Sequence, residues 1–418
     1  MFTKTFAIIP LLALITSVQA AEIHEIEDSI KKHRTGIIVV QTTPNTPVHV
    51  QQLRHEFWFG AAISDGIFNG RASAADVQMY KEKFLENFNS AVSENALKWG
   101  NMERERGKVN FATTDNMLTW TDENNIPLRG HNIYWGIPKR VQGWLKTMDD
   151  HALHAELRTR ARTIAARYQG RFAEYDLNNE MIHGNYYEDR LGPDITGQMV
   201  DWIKAIDPQA TLYMNDYDVL TGHRLKSYVQ HIQNLLDSKV RIDGIGVQGH
   251  LHGSHFNPDS LTSALDVLAQ FKLPIRISEF NMPGQRSRFL PQGSGNTPEM
   301  TPEEEMQRAQ QLTDYYRICF AHPAVEGILM WGFWEGANWI PASSLYKKDW
   351  TPTPAADAYR SLVFDEWWTD VKATSDERGI CTIRAFYGTH RVMANGSEKT
   401  IELGKKDGST YVEIYAKT

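Results

Sequence analysis

The chain has 418 residues, of which 41% are hydrophobic and 23% are charged; these fractions are typical of globular proteins and argue against a disordered or fibrous chain. Its 44 basic and 51 acidic residues give a net charge of -7. The basic residues form no run or face, so no nucleic-acid partner is expected, and the length allows one large domain with additions or two to three average ones.

The first twenty residues predict an export signal. Lys4 provides a positive start, Phe6–Ile15 an apolar stretch, and Val18-Gln19-Ala20 a small-residue cleavage site. The apolar stretch is too short for a stable membrane anchor. We therefore expect a mature protein that begins near Ala21, is secreted or periplasmic, and has no membrane partner.

Two short β-like runs come next, followed by a regular alternation of strands and helices. Gly36–Val40 and Val48–Leu53 are separated by the turn signal Pro44-Asn45-Thr46-Pro47. The alternating strands are predicted at Phe57–Ser64, Ser90–Leu97, Ile126–Trp135, Glu174–Asn179, Ala210–Asp216, Ile242–His250, Pro274–Phe280 and Gly327–Phe333. The helices are predicted at Ala74–Phe88, Thr114–Asn125, His151–Tyr168, Asp194–Ile206, Arg224–Asp237, Leu261–Phe271, Thr301–Ala321 and Pro354–Phe364. Eight strands, each followed by a helix, predict an α/β fold, a (β/α)8 TIM barrel over residues 57–365.

Two stretches depart from this alternation. Gly284–Pro302 is rich in Gly, Pro and Ser, and we expect it to be a mobile loop over the cleft or a passive excursion. Residues 366–418 change to short alternating strands, which we expect to pack with residues 21–56 as a small β-sandwich appended to the barrel. Cys319 and Cys381 are compatible with one disulfide or with two separate buried thiols.

Polar residues stand at the ends of seven predicted strands. They are Glu94 and Asn95; His131 and Trp135; Asn179 and Glu180; Asn215 and Asp216; Gln248 and His250; Glu279; and Trp331 and Glu335. Because the active site of such a barrel lies at the C-terminal ends of its strands, these residues predict one shared polar pocket. A single glutamate at a strand end is more often a surface or capping residue, so the prediction depends on the whole group.

Two of these acids suggest a reaction. Asn178-Asn179-Glu180 places two amides and a carboxylate after one buried strand, and Glu279 ends another. Cleavage of a glycosidic bond needs an acid that protonates the leaving oxygen and a second carboxylate on the other side of the bond. The acids are spread out among Trp and Asn rather than grouped as ligands, and there is no phosphate-binding glycine loop, so neither a metal nor a nucleotide cofactor is predicted.

Seven motifs follow one another along these segments: SENALKW (Ser93–Trp99), RGHNIYW (Arg129–Trp135), LNNEM (Leu177–Met181), MNDYD (Met214–Asp218), GIGVQGHL (Gly244–Leu251), ISEFN (Ile277–Asn281) and MWGFWEGANW (Met330–Trp339). With these motifs, residues 57–359 resemble glycoside hydrolase family 10, the endo-β-1,4-xylanases. The stretches NNEMIHG (Asn178–Gly184), HPAVEGILMWGFWE (His322–Glu335) and IRAFYGTH (Ile383–His390) most closely resemble the subgroup found in plants and some bacteria. The resemblance implies a retaining mechanism with Glu180 as acid/base and Glu279 as nucleophile, about 5–5.5 Å apart.

The resemblance also implies how substrate is held. Asn179 would bind the 2-hydroxyl of the cleaved sugar. The neighbouring sugars would meet Glu94, Asn95, Lys98 and His131, with Trp135, Trp331 and Trp339 as aromatic walls, and Gln248 and His250 would orient Glu279. The implied substrate is xylan or a xylo-oligosaccharide, and we expect a monomer. Judged alone, each tryptophan could be core, Lys98 a surface residue and His250 a structural histidine.

Three departures from the family pattern concern specificity. Asn281 stands where the family usually has Asp, and because an amide carries no charge, His250 should be less readily protonated. GIPKR after Trp135 replaces a segment that usually supplies a glutamine contact, and Trp334-Glu335 replaces the commoner Thr-Asp. Two alternatives stay open: a retaining glycosidase acting on another β-glycan, and a non-catalytic carbohydrate-binding protein.

Overall fold

A computed structural model describes residues 23–251, 257–282 and 300–416. The predicted signal segment Met1–Ala20 and almost all of the predicted loop Gly284–Pro302 lie outside these residues. Within the described ranges, none of the helices combines the length and the apolar character that a membrane crossing requires.

The strands are β1 (Thr35–Gln41), β2 (Pro47–His55), β3 (Trp58–Ile63), β4 (Ser90–Ser93), β5 (Leu128–Gly130), β6 (Tyr134–Trp135), β7 (Glu174–Asn179), β8 (Leu212–Asp216), β9 (Gly244–Val247), β10 (Ile275–Phe280), β11 (Val325–Met330), β12 (Asp370–Thr374), β13 (Ile380–Phe386), β14 (Gly388–Ala394), β15 (Ser397–Leu403) and β16 (Ser409–Glu413). The helices are α1 (23–34), α2 (Asp65–Phe68), α3 (Ala74–Asn87), α4 (Trp99–Met102), α5 (Ala112–Glu123), α6 (Gly143–Lys146), α7 (Asp150–Tyr168), α8 (Tyr186–Leu191), α9 (Ile195–Lys204), α10 (Leu225–Asp237), α11 (Pro258–Ala269), α12 (Pro302–Ala321) and α13 (Pro354–Arg360).

The chain separates into two compact units. One contains the described residues up to Glu56, Arg317–Pro323, and the chain from Trp367 onward; the other contains Phe57–Tyr316 and Ala324–Glu366. Each unit has its own set of β-sheets.

The larger unit is the predicted (β/α)8 barrel. Its parallel strands run in the order β5-β4-β3-β11-β10-β9-β8-β7, and hydrogen bonding between β5 and β7 closes the cylinder. The predicted third strand is interrupted: β5 stops at Gly130, and the two-residue β6 pairs separately with the end of β7. The strand alternation of the sequence is therefore confirmed, with one strand divided.

The barrel interior contains a network of buried charges that the sequence did not predict. Arg276 forms a two-point pair with Glu174, with Nε–Oε1 at 3.0 Å and Nη2–Oε2 at 2.9 Å. Arg129, fully buried, pairs with Glu174 and Asp176. Burial alone would raise the pKa of Glu174, but the two guanidinium groups hold it below its ordinary value. Because each buried charge has a partner, the network can persist in the interior.

The smaller unit is the predicted β-sandwich. A three-stranded sheet in the order β13-β1-β16 faces a four-stranded sheet in the order β12-β2-β14-β15. Alternate residues of both sheets fill a common core, which includes Ile38, Val50, Ile383 and Val392. The sandwich of N- and C-terminal strands is confirmed, although β12 was not predicted. Cys319 and Cys381 are both buried and are not joined by a disulfide.

Candidate active site

Glu279, at the end of β10, is buried among hydrogen-bond donors and cations. Its Oε1 accepts from Asn215 Nδ2 at 2.9 Å, and its Oε2 lies 3.2 Å from His250 Nε2. His131 Nδ1 is 3.8 Å from Oε1. Burial alone would raise the pKa of Glu279, but His131, His250 and Lys98 together lower it to about 2. The group is therefore a carboxylate at any pH near neutrality.

Glu180 follows β7 directly and has different surroundings. Its Oε2 accepts from the indole Nε1 of Trp135 at 2.9 Å, and its Oε1 accepts from Gln248 Nε2 at 3.1 Å. Both donors are neutral. The expectation that the Gln248 side chain orients Glu279 differs from the structure: the side chain binds Glu180, and it is the Gln248 carbonyl that accepts the Glu279 N–H at 2.7 Å.

Asn215, at the end of β8, links the segments that carry the two acids. Its amide nitrogen lies 2.9 Å from both Asn179 Oδ1 and Glu279 Oε1, and its own oxygen accepts from Ser278 Oγ at 2.6 Å. The sequence marked Asn215 only as a polar strand end and assigned it no role. In the structure, one amide fixes the position of Asn179 relative to Glu279.

An irregular register directs Glu279 into this pocket. Consecutive residues of a regular strand point to opposite faces, yet Ser278 and Glu279 both contact Asn215. The pairing of β10 with β11 shifts between Ile277 and Phe280, and such irregularities re-aim side chains next to active sites. The register shift thus turns the Glu279 carboxylate toward the barrel mouth. Without the shift, the alternation of side chains along β10 would point Glu279 to the opposite face from Ser278.

Each of the two histidines is held through its Nδ1. His131 Nδ1 lies 2.8 Å from Asp176 Oδ2, a carboxylate of the interior network. His250 Nδ1 lies 2.8 Å from Asn281 Oδ1, which also accepts from Trp339 Nε1 at 3.1 Å. Because an amide oxygen only accepts, His250 must donate from Nδ1. Its Nε2 can then donate to Glu279 only as an imidazolium.

Lys98 and its neighbours form the other side of the pocket. Lys98 Nζ donates to Asn95 Oδ1 at 2.8 Å and lies 5.0 and 5.6 Å from the ring centroids of Trp135 and Trp331. Burial lowers the pKa of Lys98, an effect that Glu279 and Glu94 oppose. Burial also raises the pKa of Glu94 to about 7, with a further contribution from the nearby Asp65, against the opposing charge of Lys98.

The tryptophans divide between pocket and packing. Trp331 and Trp339 lie near His250, at centroid distances of 6.5 and 5.3 Å. Trp334 instead stacks on Trp350 at 4.3 Å with an interplanar angle of 6°, and Glu335 accepts the Lys348 N–H. The Trp334-Glu335 departure from the family pattern therefore stabilises a loop.

Of the other predicted residues, Glu94 and Asn95 follow β4, Trp135 ends β6 and Asn179 ends β7. In the three described ranges, no group of three or more His, Cys, Asp or Glu side chains has the arrangement of a metal site. The pocket contains an ionised carboxylate, a second carboxyl group between two neutral hydrogen-bond donors, and aromatic faces that suit a sugar ring.

Known proteins resemble the chain in sequence and in fold. Endo-1,4-beta-xylanase 1 of Arabidopsis thaliana is 33% identical over 376 residues, covering 88% of this chain and 37% of that protein. Anti-sigma-I factor RsgI6 of Acetivibrio thermocellus is 32% identical over 392 residues, covering 91% of this chain and 48% of that protein. The chain thus spans less than half the length of these relatives.

Among solved structures, native xylanase 10B from Thermotoga maritima superimposes with a TM-score of 0.65 at 24% identity, covering 74% of this chain and 96% of that one. At this identity the likeness shows the fold. The sequence model described as glycosyl hydrolase family 10 matches residues 50–362. Since that match includes every barrel strand and both acids, the chain belongs to glycosyl hydrolase family 10.

Proposed function

We propose that this chain is an endo-β-1,4-xylanase that cleaves internal xylosidic bonds of xylan or xylo-oligosaccharides with retention of configuration. One observation carries the proposal: the two strand-end carboxyl groups lie in one pocket but have opposite surroundings. Glu279 is held ionised beside His131, His250 and Lys98. Glu180 instead accepts hydrogen bonds from two neutral side-chain donors, an indole and an amide. That asymmetry suits a nucleophile and an acid/base.

In the first step, the Glu279 carboxylate attacks the anomeric carbon. The bond to the leaving sugar breaks, and Glu180 gives its proton to the departing oxygen. In the second step, Glu180 takes a proton from water, which attacks the same carbon and releases Glu279. Two inversions restore the original configuration.

Asn179 and Asn215 prepare the pocket for the sugar that is cleaved. Asn215 donates to both Asn179 Oδ1 and Glu279 Oε1, so the Asn179 nitrogen is left to donate to a substrate. We assign that donor to the 2-hydroxyl, where a hydrogen bond that strengthens in the transition state lowers the barrier.

The pocket wall formed by Glu94, Asn95, Lys98 and His131 would bind the sugars on the glycone side, and Trp135, Trp331 and Trp339 would contact pyranose faces. The relatives named endo-1,4-beta-xylanase and the Thermotoga petrophila xylanase 10B solved with xylobiose support xylan as the substrate.

The test is the anomeric form of the first product. Purified protein is incubated with xylohexaose and followed by proton NMR before mutarotation; initial β-product supports retention, and initial α-product refutes it. Glu279→Ala should reduce cleavage at least about 10³-fold, with Glu123→Ala, a change on the exposed end of α5, as control. Full activity of Glu279→Ala would overturn the assignment.

A second candidate is glycan binding without cleavage, since the rings of Trp331 and Trp339 beside His250 would hold a sugar whether or not the two acids react. It predicts binding of xylohexaose by calorimetry with no product after long incubation. A third candidate, another β-glycan as substrate, is motivated by Asn281 and by the loop after Trp135; parallel assays on mixed-linkage glucan and aryl xylobioside decide it.

We also propose that the protein is exported, on the strength of the charged start, apolar stretch and cleavage site within Met1–Ala20. Expression of the full chain and N-terminal sequencing of the product outside the cytoplasm tests this. A product that begins near Ala21 supports export, and one that keeps Met1 inside the cell refutes it.

A further inference from the structure

Glu180 has an unusual backbone. Directly after β7, the backbone of Glu180 lies in the left-handed region, with φ 62° and ψ 37°. Residues other than glycine adopt this conformation only at a cost in free energy. The backbone then continues into a short 3-10 turn, Met181–His183. A glutamate in this conformation persists only when neighbouring groups hold it there.

Asp216, at the end of β8, is the group that contacts this turn. It is 1% exposed. Its Oδ2 accepts the Ile182 N–H at 3.0 Å, and its Oδ1 accepts the Tyr217 N–H at 2.9 Å. The Glu180 N–H, in turn, donates to the Asn215 carbonyl at 2.8 Å. Two hydrogen bonds therefore connect the end of β8 with the turn that carries the acid/base candidate, and the bond from Tyr217 fixes the direction of the Asp216 carboxyl group.

His183 adds a ring contact to the same connection. Its Nε2 lies 3.3 Å from Asp216 Oδ1, and its ring stacks on Tyr217 with centroids 3.6 Å apart and planes 6° apart. The same Nε2 lies 3.4 Å from the Tyr217 carbonyl oxygen, so the His183 ring is held against the end of β8 and the residue that follows it.

We propose that Asp216 is a positioning residue for Glu180: it holds the turn 180–183 so that the Glu180 carboxyl meets the donors of Trp135 and Gln248. The inference rests on the proposed function, since it concerns the step in which Glu180 protonates the leaving group. Asp216 itself touches no reacting atom in this scheme.

The alternative is a purely structural role, and the leaving group separates the two. An aryl xylobioside with a good leaving group such as 2,4-dinitrophenolate needs no proton, whereas a phenyl xylobioside does. A loss that comes from misplaced Glu180 therefore falls on the phenyl substrate alone. A general loss of fold lowers both rates together.

The experiment compares kcat/KM, which includes only steps through cleavage of the first bond, for wild type and Asp216→Asn. Asparagine retains one acceptor but turns an amide donor toward one of the two backbone N–H groups. We expect kcat/KM to stay within about threefold on the dinitrophenyl substrate and to fall at least about 30-fold on the phenyl substrate. Asp237→Asn, the same chemical change on the exposed end of α10, should leave both within about twofold.

Equal losses on the two substrates, or no loss on the phenyl substrate, overturn the role of Asp216. If Asp216→Asn does not fold, His183→Ala retains Asp216 with both backbone donors and must show the same selective loss at smaller amplitude; a uniform effect overturns the proposal. A wild-type protein inactive on both substrates refutes the proposed function itself, which keeps the two failures distinguishable.

Discussion

Glu94 carries a carboxyl group that the fold makes costly to ionise, and this has a measurable effect on stability. Its pKa rises from 4.5 to about 7 through burial and the nearby Asp65, despite Lys98. One pH unit corresponds to about 1.4 kcal/mol, so keeping Glu94 ionised in the folded protein costs about 3 kcal/mol. Because the folded state holds the proton more tightly than the unfolded state, this cost is absent below about pH 4.5, grows as pH rises, and is complete above about pH 7.

Glu94→Gln imitates the protonated side chain at every pH. The variant should therefore match wild type in denaturant midpoint at pH 4 and exceed it at pH 8.5, with a gain of about 3 kcal/mol in the free energy of unfolding. The measurement is urea unfolding of both proteins at the two pH values. Glu123→Gln, on the exposed end of α5, is the matched control and should show no pH-dependent gain.

A gain of the same size at pH 4 and pH 8.5 would show that it comes from packing and not from ionisation. No gain at pH 8.5 would mean that Glu94 ionises in the folded state as readily as in the unfolded one, and the reasoning from burial would be wrong. Glu94→Gln should also change the affinity for xylobiose, because Glu94 lies beside Lys98 in the proposed glycone wall.

Three more changes have defined outcomes. Trp135→Phe retains an aromatic face but removes the N–H that binds Glu180, so kcat/KM on phenyl xylobioside should fall about tenfold; an unchanged value contradicts the contact. Asn281→Asp keeps the acceptor for His250 Nδ1 but removes the amide that donates to Ser343 Oγ at 2.7 Å, so the free energy of unfolding should fall by about 1–3 kcal/mol; a denaturant midpoint equal to that of wild type is the opposing result. Ile38→Ala opens a cavity in the sandwich core and should lower the free energy of unfolding by about 2–5 kcal/mol, as measured in denaturant, whereas a loss below 1 kcal/mol would show that the core closes around the gap.

The barrel could be predicted because its evidence is local. Apolar runs of strand length alternate with helical patterns, and each of these periodicities can be recognised within a short window of the sequence. Glu174–Asn179 was predicted with the bounds that β7 has, and the polar strand ends follow from the rule that such residues meet at one rim. The sandwich followed from turn residues such as Asn395-Gly396 that separate short alternating runs.

The parts that could not be predicted depend on contacts between distant residues. Arg129 and Arg276 lie in two different predicted strands, and only the closed barrel brings both to Glu174. The Gln248 side chain likewise binds Glu180, 68 residues earlier in the chain, and the Gln-Gly-His motif does not show which of the two acids it meets. A register shift in a strand leaves no trace in the sequence when ordinary residues occupy it. The directions of the side chains at the barrel rim therefore could not be predicted from the sequence pattern.

The two acids show how one pocket produces two chemistries from the same residue type. Each stands at the end of a parallel strand and each accepts two side-chain hydrogen bonds, so hydrogen-bond number alone does not distinguish them. The distinction comes from charge: His131, His250 and Lys98 surround Glu279 and hold its pKa at about 2, while an indole and an amide face Glu180. These three side chains come from segments after three different strands, and hence the assignment of roles is a property of the closed barrel rather than of either motif.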